Sequence, residues 1–166
     1  MDTLDLREKR TAMLSDYLKE NKTAAVGMII HKICLYVILI SRALLAVWEI
    51  AFFSISGTYV NILGILFIIP LIALLFAIDR GYKLWAYVVL AFPITRLILY
   101  FTLLNPTLPN SPLADVYPFT LFAVMILQFT AAIIILTSHA CDVYYIGIRR
   151  INIKLKKDVK KAKNNT

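Results

Sequence analysis

Four long apolar runs constrain the fold of this chain more than any other feature of its sequence. Residues 29–54, 60–78, 84–104 and 117–137 are each close to the roughly 20 residues that a helix needs to cross the hydrocarbon of a bilayer. Backbone groups cannot stay unpaired in lipid, so each run is expected to be helical. The composition, 60% hydrophobic and 17% charged, departs from that of an ordinary soluble domain. The sequence therefore predicts an all-α, polytopic membrane protein with four transmembrane helices in a bundle.

Basic residues alternate between the segments that connect these runs. The N-terminal tail is rich in Lys and Arg, loop 55–59 has none, loop 79–83 has two, loop 105–116 has none, and the C-terminal tail has eight. Because Lys and Arg concentrate on the cytoplasmic side of inserted helices, the alternation predicts that both termini are cytoplasmic. Short tails and Lys/Ile/Asn-rich usage suit a multi-pass protein of a bacterial cytoplasmic (inner) membrane, and a eukaryotic organelle stays the alternative.

The two tails flank the bundle, which takes up residues 26–147. Residues 1–25 have the pattern of an amphipathic cytoplasmic helix, and residues 148–166 that of a basic helical tail. We expect the basic tail to contact membrane lipids, in particular anionic lipid of the inner leaflet. The residues expected to do so are Arg149, Arg150, Lys154, Lys156, Lys157, Lys160 and Lys161.

Two other interpretations of the tails stay open. They could dock a cytoplasmic partner or pair with each other. Lysine-rich tails can also contact nucleic acid, but nothing in this sequence is a motif that reads bases, so we expect no nucleic-acid partner.

Polar residues inside the apolar runs are the candidate functional residues. Charge at the centre of a bilayer is costly and usually faces a partner, a cavity or a ligand. Helical periodicity places Glu49 on the same face as Arg42 and about two turns further along. Gln128 falls at the same depth in the fourth run, and Tyr100 follows Arg96 by four residues. The predicted ligand- or partner-binding residues are therefore Arg42, Glu49, Arg96, Tyr100 and Gln128.

Because this set holds two arginines and one acid, two interpretations remain. In the first, both arginines are satisfied inside the bundle by the acid, the amide and the tyrosine. In the second, an anionic group enters the bundle: a lipid phosphate, a substrate carboxylate or an acidic residue of a partner helix. The matching depths of polar residues in the first and fourth runs also predict that these two helices are neighbours.

Side chains that can ligate zinc cluster at the predicted inner ends of the first and fourth helices. They are His31, Cys34, His139, Asp142 and the adjoining Cys141. Their spacing matches no metal motif, and interfacial His and Cys are common without metal. We therefore expect neither a metal nor a cofactor.

Catalytic signatures are missing from the sequence. We find no paired-carboxylate site, no Gly-rich phosphate loop and no nucleophile elbow. This favours a non-catalytic protein that acts through helix–helix association, as a subunit or regulator of a membrane complex or as an immunity-type factor. Its partner would be another membrane protein or a second copy of the chain. A small oligomeric transporter or channel for an anionic solute is the alternative, and a membrane-embedded lipid-acting enzyme is the third.

Overall fold

A computed structural model of the chain describes residues 3–56, 68–99, 101–102 and 112–164. All regular structure within these ranges is helical, and they contain no strand, which confirms the predicted all-α class. Six helices follow one another along the described residues. They are α1 (Thr3–Glu20), α2 (Lys22–Ser56), α3 (Ile68–Asp79), α4 (Trp85–Leu99), α5 (Pro112–Thr137) and α6 (His139–Asn164).

Two of these helices are long and apolar enough to cross a membrane, judged by length and composition. The segments are Lys22–Trp48 of α2 and Val116–Thr137 of α5. The predicted runs 29–54 and 117–137 lie within α2 and α5. The other two runs are described only in part, as α3 and α4, because residues 57–67 and 103–111 lie outside the described residues.

One residue separates α1 from α2, and one separates α5 from α6. Asn21 caps α2: the Ala24 backbone N–H donates to Asn21 Oδ1 at 3.0 Å. Ser138 caps α6 in the same way, with the Cys141 N–H donating to Ser138 Oγ at 3.4 Å. Asn and Ser are favoured at this position because their side chains satisfy an N–H that the new helix leaves open.

The helices begin and end at residues that differ from the boundaries predicted from the sequence pattern. The predicted N-terminal helix divides at Asn21, and its last residues belong to α2. The basic C-terminal helix begins at His139, well before residue 148. The fifth helix begins at Pro112, before residue 117, because proline is well suited to the first turn, where its missing N–H costs nothing.

The packing centres on α2, which contacts both α5 and α6. Helix α4 packs against α3 and α5, and α1 packs against α6 and α2. The buried apolar residues form two clusters. The larger one surrounds Ile38, Ile78 and Ile135, and the smaller one surrounds Leu45, Tyr117 and Leu121.

Two glycines allow helices to approach closely. A Cβ added at Gly27 of α2 would lie 1.9 Å from the Ala140 backbone oxygen of α6. A Cβ added at Gly147 of α6 would lie 2.1 Å from Cε1 of Tyr17 in α1. Helix α6 is thus fixed against α2 by a backbone contact and against α1 by a tyrosine ring.

Candidate functional site

The predicted polar residues Arg42 and Gln128 line the same small cavity, which we call the Arg42 cavity. Its volume is about 20 Å³, room for about one water molecule. Helices α2, α3, α4 and α5 all contribute to its wall. The lining residues are Arg42, Leu45, Leu71, Phe92, Pro93, Leu121, Val124, Met125 and Gln128.

Both polar side chains in this wall are buried, and neither is isolated. Gln128 Nε2 donates to Ser41 Oγ at 3.5 Å, and Ser41 Oγ donates to the Ile38 carbonyl at 3.1 Å. Arg42 is only 6% exposed and also has an interaction partner within the protein. The polar groups at this depth thus join α2 to α5, as expected if the first and fourth apolar helices are neighbours.

The other residues predicted for this site are not described in the same detail. Glu49 belongs to α2 and Arg96 to α4, but both side chains lie outside the described part of the structure, as does Tyr100. The part that these three residues would take in binding therefore stays a prediction.

His31 forms a second polar centre, eleven residues before Arg42 on α2. Its ring is fully buried, with Nδ1 2.7 Å from the Tyr145 hydroxyl oxygen and Nε2 3.2 Å from Asp79 Oδ1. The ring centroid lies 5.3 Å from that of Tyr145, in an edge-on arrangement, and 5.4 Å from that of Tyr144. We call these four residues the His31 cluster; it joins α2, the end of α3 and α6.

The hydrogen-bond partners fix the protonation pattern of the His31 ring. An ionised carboxylate can only accept, so Nε2 carries the hydrogen and donates to Asp79. In the neutral ring Nδ1 then accepts from the Tyr145 hydroxyl. In this tautomer both ring nitrogens of His31 have a partner.

The surroundings shift the pKa values of the acidic groups in this cluster. The hydrogen bond from His31 lowers the pKa of Asp79, against desolvation, and the charges of Arg10 and Lys32 lower it further. Burial raises the pKa of Tyr144 to about 12 and also raises the pKa of Tyr145. Both phenols are thus neutral near pH 7, and their burial closes them to a substrate. The arrangement is chemically suited to holding helices together.

The side chains that could ligate zinc are dispersed among different partners. Both nitrogens of His31 are occupied, His139 is exposed, and Asp142 pairs with Lys83. Cys34 is buried on α2, while the Cys141 thiol lies 3.6 Å from the Gly27 carbonyl oxygen. Among the residues that the structure describes, no group of three or more His, Cys, Asp or Glu side chains could hold a metal ion.

The turn between α3 and α4 is attached to α6. Lys83 pairs with Asp142, and Asn152 Nδ2 donates to the Arg80 carbonyl at 3.3 Å. Gly81 has a φ of +93°, a conformation that costs glycine little, and this brings the turn against Ile148. From the sequence, the two basic residues of this turn were used only to orient the helices, although its charged residues were also a signal that it makes polar contacts.

The two tails also contact each other. Lys9 Nζ lies 3.0 Å from Asp158 Oδ2, and the Tyr17 hydroxyl donates to the Val143 carbonyl at 2.9 Å. Pairing of the tails was one of the interpretations left open by the sequence. The basic residues predicted to face lipid, from Arg149 to Lys161, are exposed on α6.

No family model, curated protein or solved structure matches this chain.

Proposed function

We propose that this chain is a polytopic protein of a bacterial inner membrane, with four transmembrane helices in a bundle. The supporting observation is how little of its apolar helices the protein itself covers: only 28% of the apolar segment of α2 and 39% of that of α5 are buried. The core helix of a soluble protein would be mostly buried. Leu44, Val47 and Ile126, each at least 64% exposed, need an apolar solvent such as lipid.

We further propose that both termini are cytoplasmic. The three segments rich in basic residues, namely α1, the α3–α4 turn and α6, contact one another at one end of the molecule. Three segments that lie on the same side of a membrane must be found at the same end of the protein, as these three are. The positive-inside rule then supports the cytoplasm as that side.

Cysteine labelling tests this topology. A variant lacking Cys34 and Cys141 would receive one new cysteine, either Thr11→Cys or Asn110→Cys. Each of these two proteins would then be treated with a membrane-impermeant maleimide. We expect Asn110→Cys to react in intact cells and Thr11→Cys only after the membrane is opened. Labelling of both in intact cells, or release of the protein by alkaline carbonate, would contradict the proposal.

We propose that the protein acts without catalysis, through association, as a subunit or regulator of a membrane complex or as an immunity-type factor. The observation that supports a non-catalytic role is that buried polar side chains form contacts between helices. Among the described residues, the buried side chains of His31 and Gln128 join helices to one another, and the Arg42 cavity has room for about one water molecule rather than a substrate. A partner would therefore bind on the outside of the bundle.

Purification in a mild detergent tests this association. We expect a second membrane protein, or a second copy of the chain, at a fixed ratio. Arg42→Met and Arg96→Met, made separately, would show whether these two charges maintain that ratio, and Leu44→Met at an exposed position of α2 is the matched control. A single monomeric species, unaffected by either arginine substitution, would contradict the role in association.

A small oligomeric transporter or channel for an anionic solute is the second candidate. The observation that favours it is the burial of Arg42 at the point where four helices meet. Anion flux into liposomes that contain only this protein, lost in Arg42→Met, would establish this candidate in place of the first. Turnover of lipid in the same liposomes would favour the third candidate, a lipid-acting enzyme.

A further inference from the structure

A second cavity opens where α1, α6 and the α3–α4 turn meet, and we call it the basic pocket. Its volume is about 460 Å³, within the range of small-molecule sites. Each of the three elements contributes one cation to its wall: Arg10 from α1, Arg80 from the turn and Lys156 from α6. Within the described residues, no carboxylate lines it.

The protein positions the backbone segments that carry these cations without help from a ligand. The hydrogen bond from Asn152 fixes the backbone of Arg80, and the positive φ of Gly81 presses the turn against α6. The ion pair between Lys9 and Asp158 attaches α1 to the same stretch of α6. Arg10, Arg80 and Lys156 therefore line a common space before anything binds, and the fixed backbones lower the entropic cost of binding.

Nearby carboxylates do not neutralise the positive charge of the pocket, because they are already paired with other side chains. Asp79 is hydrogen-bonded to His31, and Asp158 is paired with Lys9. Asp79 feels the charge of Arg10, but the two do not form an ion pair. In the described part of the chain, none of the three cations of the pocket has a carboxylate within ion-pair distance.

We propose that the basic pocket binds the phosphate group of an anionic ligand. Guanidinium groups offer paired donors that match phosphate oxygens, and an ammonium adds a point charge. Leu6, Leu155 and Val159 supply an apolar wall beside the cations, and Tyr82 borders the opening. A phospholipid headgroup of the inner leaflet has this chemistry, and that source depends on the proposed membrane insertion. A soluble phosphorylated compound offers the same group.

The test compares two variants of the full chain that each lose three positive charges. The pocket variant carries Arg10→Gln, Arg80→Gln and Lys156→Gln. The control variant carries Lys157→Gln, Lys160→Gln and Lys161→Gln, at exposed positions of α6 outside the pocket. Native mass spectrometry measures phosphatidylglycerol retained from phosphatidylcholine nanodiscs. Calorimetry measures binding of inorganic phosphate to the protein in detergent.

We expect the pocket variant to lose about tenfold more affinity than the control, since its cations make charge-assisted hydrogen bonds rather than add to a diffuse surface potential. Loss of phosphatidylglycerol alone would identify a lipid headgroup, and loss of inorganic phosphate alone a soluble source. Equal losses in the two variants, or no binding of either probe to the wild-type chain, would overturn the proposal.

Arg80→Gln alone, at an exposed position, serves as the second variant if the triple substitution unfolds the protein. The phosphate measurement in detergent does not depend on membrane insertion. Failure of the pocket is therefore distinguishable from failure of the proposed topology, which carbonate extraction reports.

Discussion

The His31 cluster and the Arg42 cavity lie on the same helix, about 16 Å apart along its axis, yet they hold the bundle together differently. At His31 both ring nitrogens have short contacts to side chains from two other elements. At Arg42 the described hydrogen bond between helices, from Gln128 to Ser41, is 3.5 Å long and a small cavity remains. The difference teaches that the polar contacts at the end that carries the termini tie together more elements, since α6 contacts α1, α2 and the α3–α4 turn there.

Gly27→Ala should have the largest effect, because it separates α6 from α2 beside the His31 cluster. The new methyl group would meet a backbone oxygen that cannot move aside. We expect a loss of about 3 kcal/mol in the free energy of unfolding, the cost of severe overpacking. Unfolding in a denaturing detergent measures it. Helix propensity alone predicts a gain of about 1 kcal/mol, so a stabilised variant would contradict the close contact.

His31→Phe tests the cluster directly. It keeps an aromatic ring but leaves the buried Tyr145 hydroxyl and the Asp79 carboxylate without their partner. We expect a loss of about 2 kcal/mol, the usual cost of an unsatisfied buried polar group. His139→Phe is the matched control, since His139 is exposed. Equal thermal stability of the two variants would mean that the cluster does not specify the packing.

Gly147→Ala should weaken the contact between α6 and α1 by about 1 kcal/mol, a smaller overpacking cost because a side chain can move. Tyr17 would swing away and lose its hydrogen bond to the Val143 carbonyl. In a Tyr17→Ala background the same substitution should become neutral or stabilising. If Gly147→Ala still lowers the free energy of unfolding in that background, the methyl group clashes with a residue other than Tyr17.

Gln128→Leu tests the region around the Arg42 cavity, where it removes the hydrogen bond to Ser41. We expect a loss of about 0.6 kcal/mol, the average for hydrogen bonds between helices in membranes. Thermal unfolding in the same detergent as for His31→Phe measures it. A loss as large as that of His31→Phe would remove the contrast between the two regions.

Acid pH should weaken the His31 cluster slightly. Because the folded pKa of Asp79 is lowered, its contribution is present above the unfolded pKa of about 4 and is lost as the pH falls through the folded pKa. Asp79 is 52% exposed, so solvent screening limits the effect to about 0.5 kcal/mol. Asp79→Asn can still accept from His31 and should show a flatter dependence of melting temperature on pH. A parallel dependence would assign the acid sensitivity to other groups.

The sequence predicted the all-α class, and it placed Arg42 and Gln128, which line one cavity, at the same depth. Helical period fixes the direction and depth of a side chain, so Arg42 and Gln128 could be matched before any coordinates. The partners of His31 could not be predicted in this way. Asp79 and Tyr145 lie 48 and 114 residues away along the chain, and only tertiary packing brings them together. The helix starts were within reach of the sequence, since Asn21 and Ser138 are typical capping residues.

Helix α6 has one further consequence. Leu155 in the wall of the basic pocket and Tyr145 in the His31 cluster belong to this single helix, about 15 Å apart along its axis. A helix is stiff over that length, so a tilt imposed at one point becomes a displacement at the other. The basic pocket and the His31 cluster therefore share one rigid helix, and neither can be repositioned on that helix independently of the other.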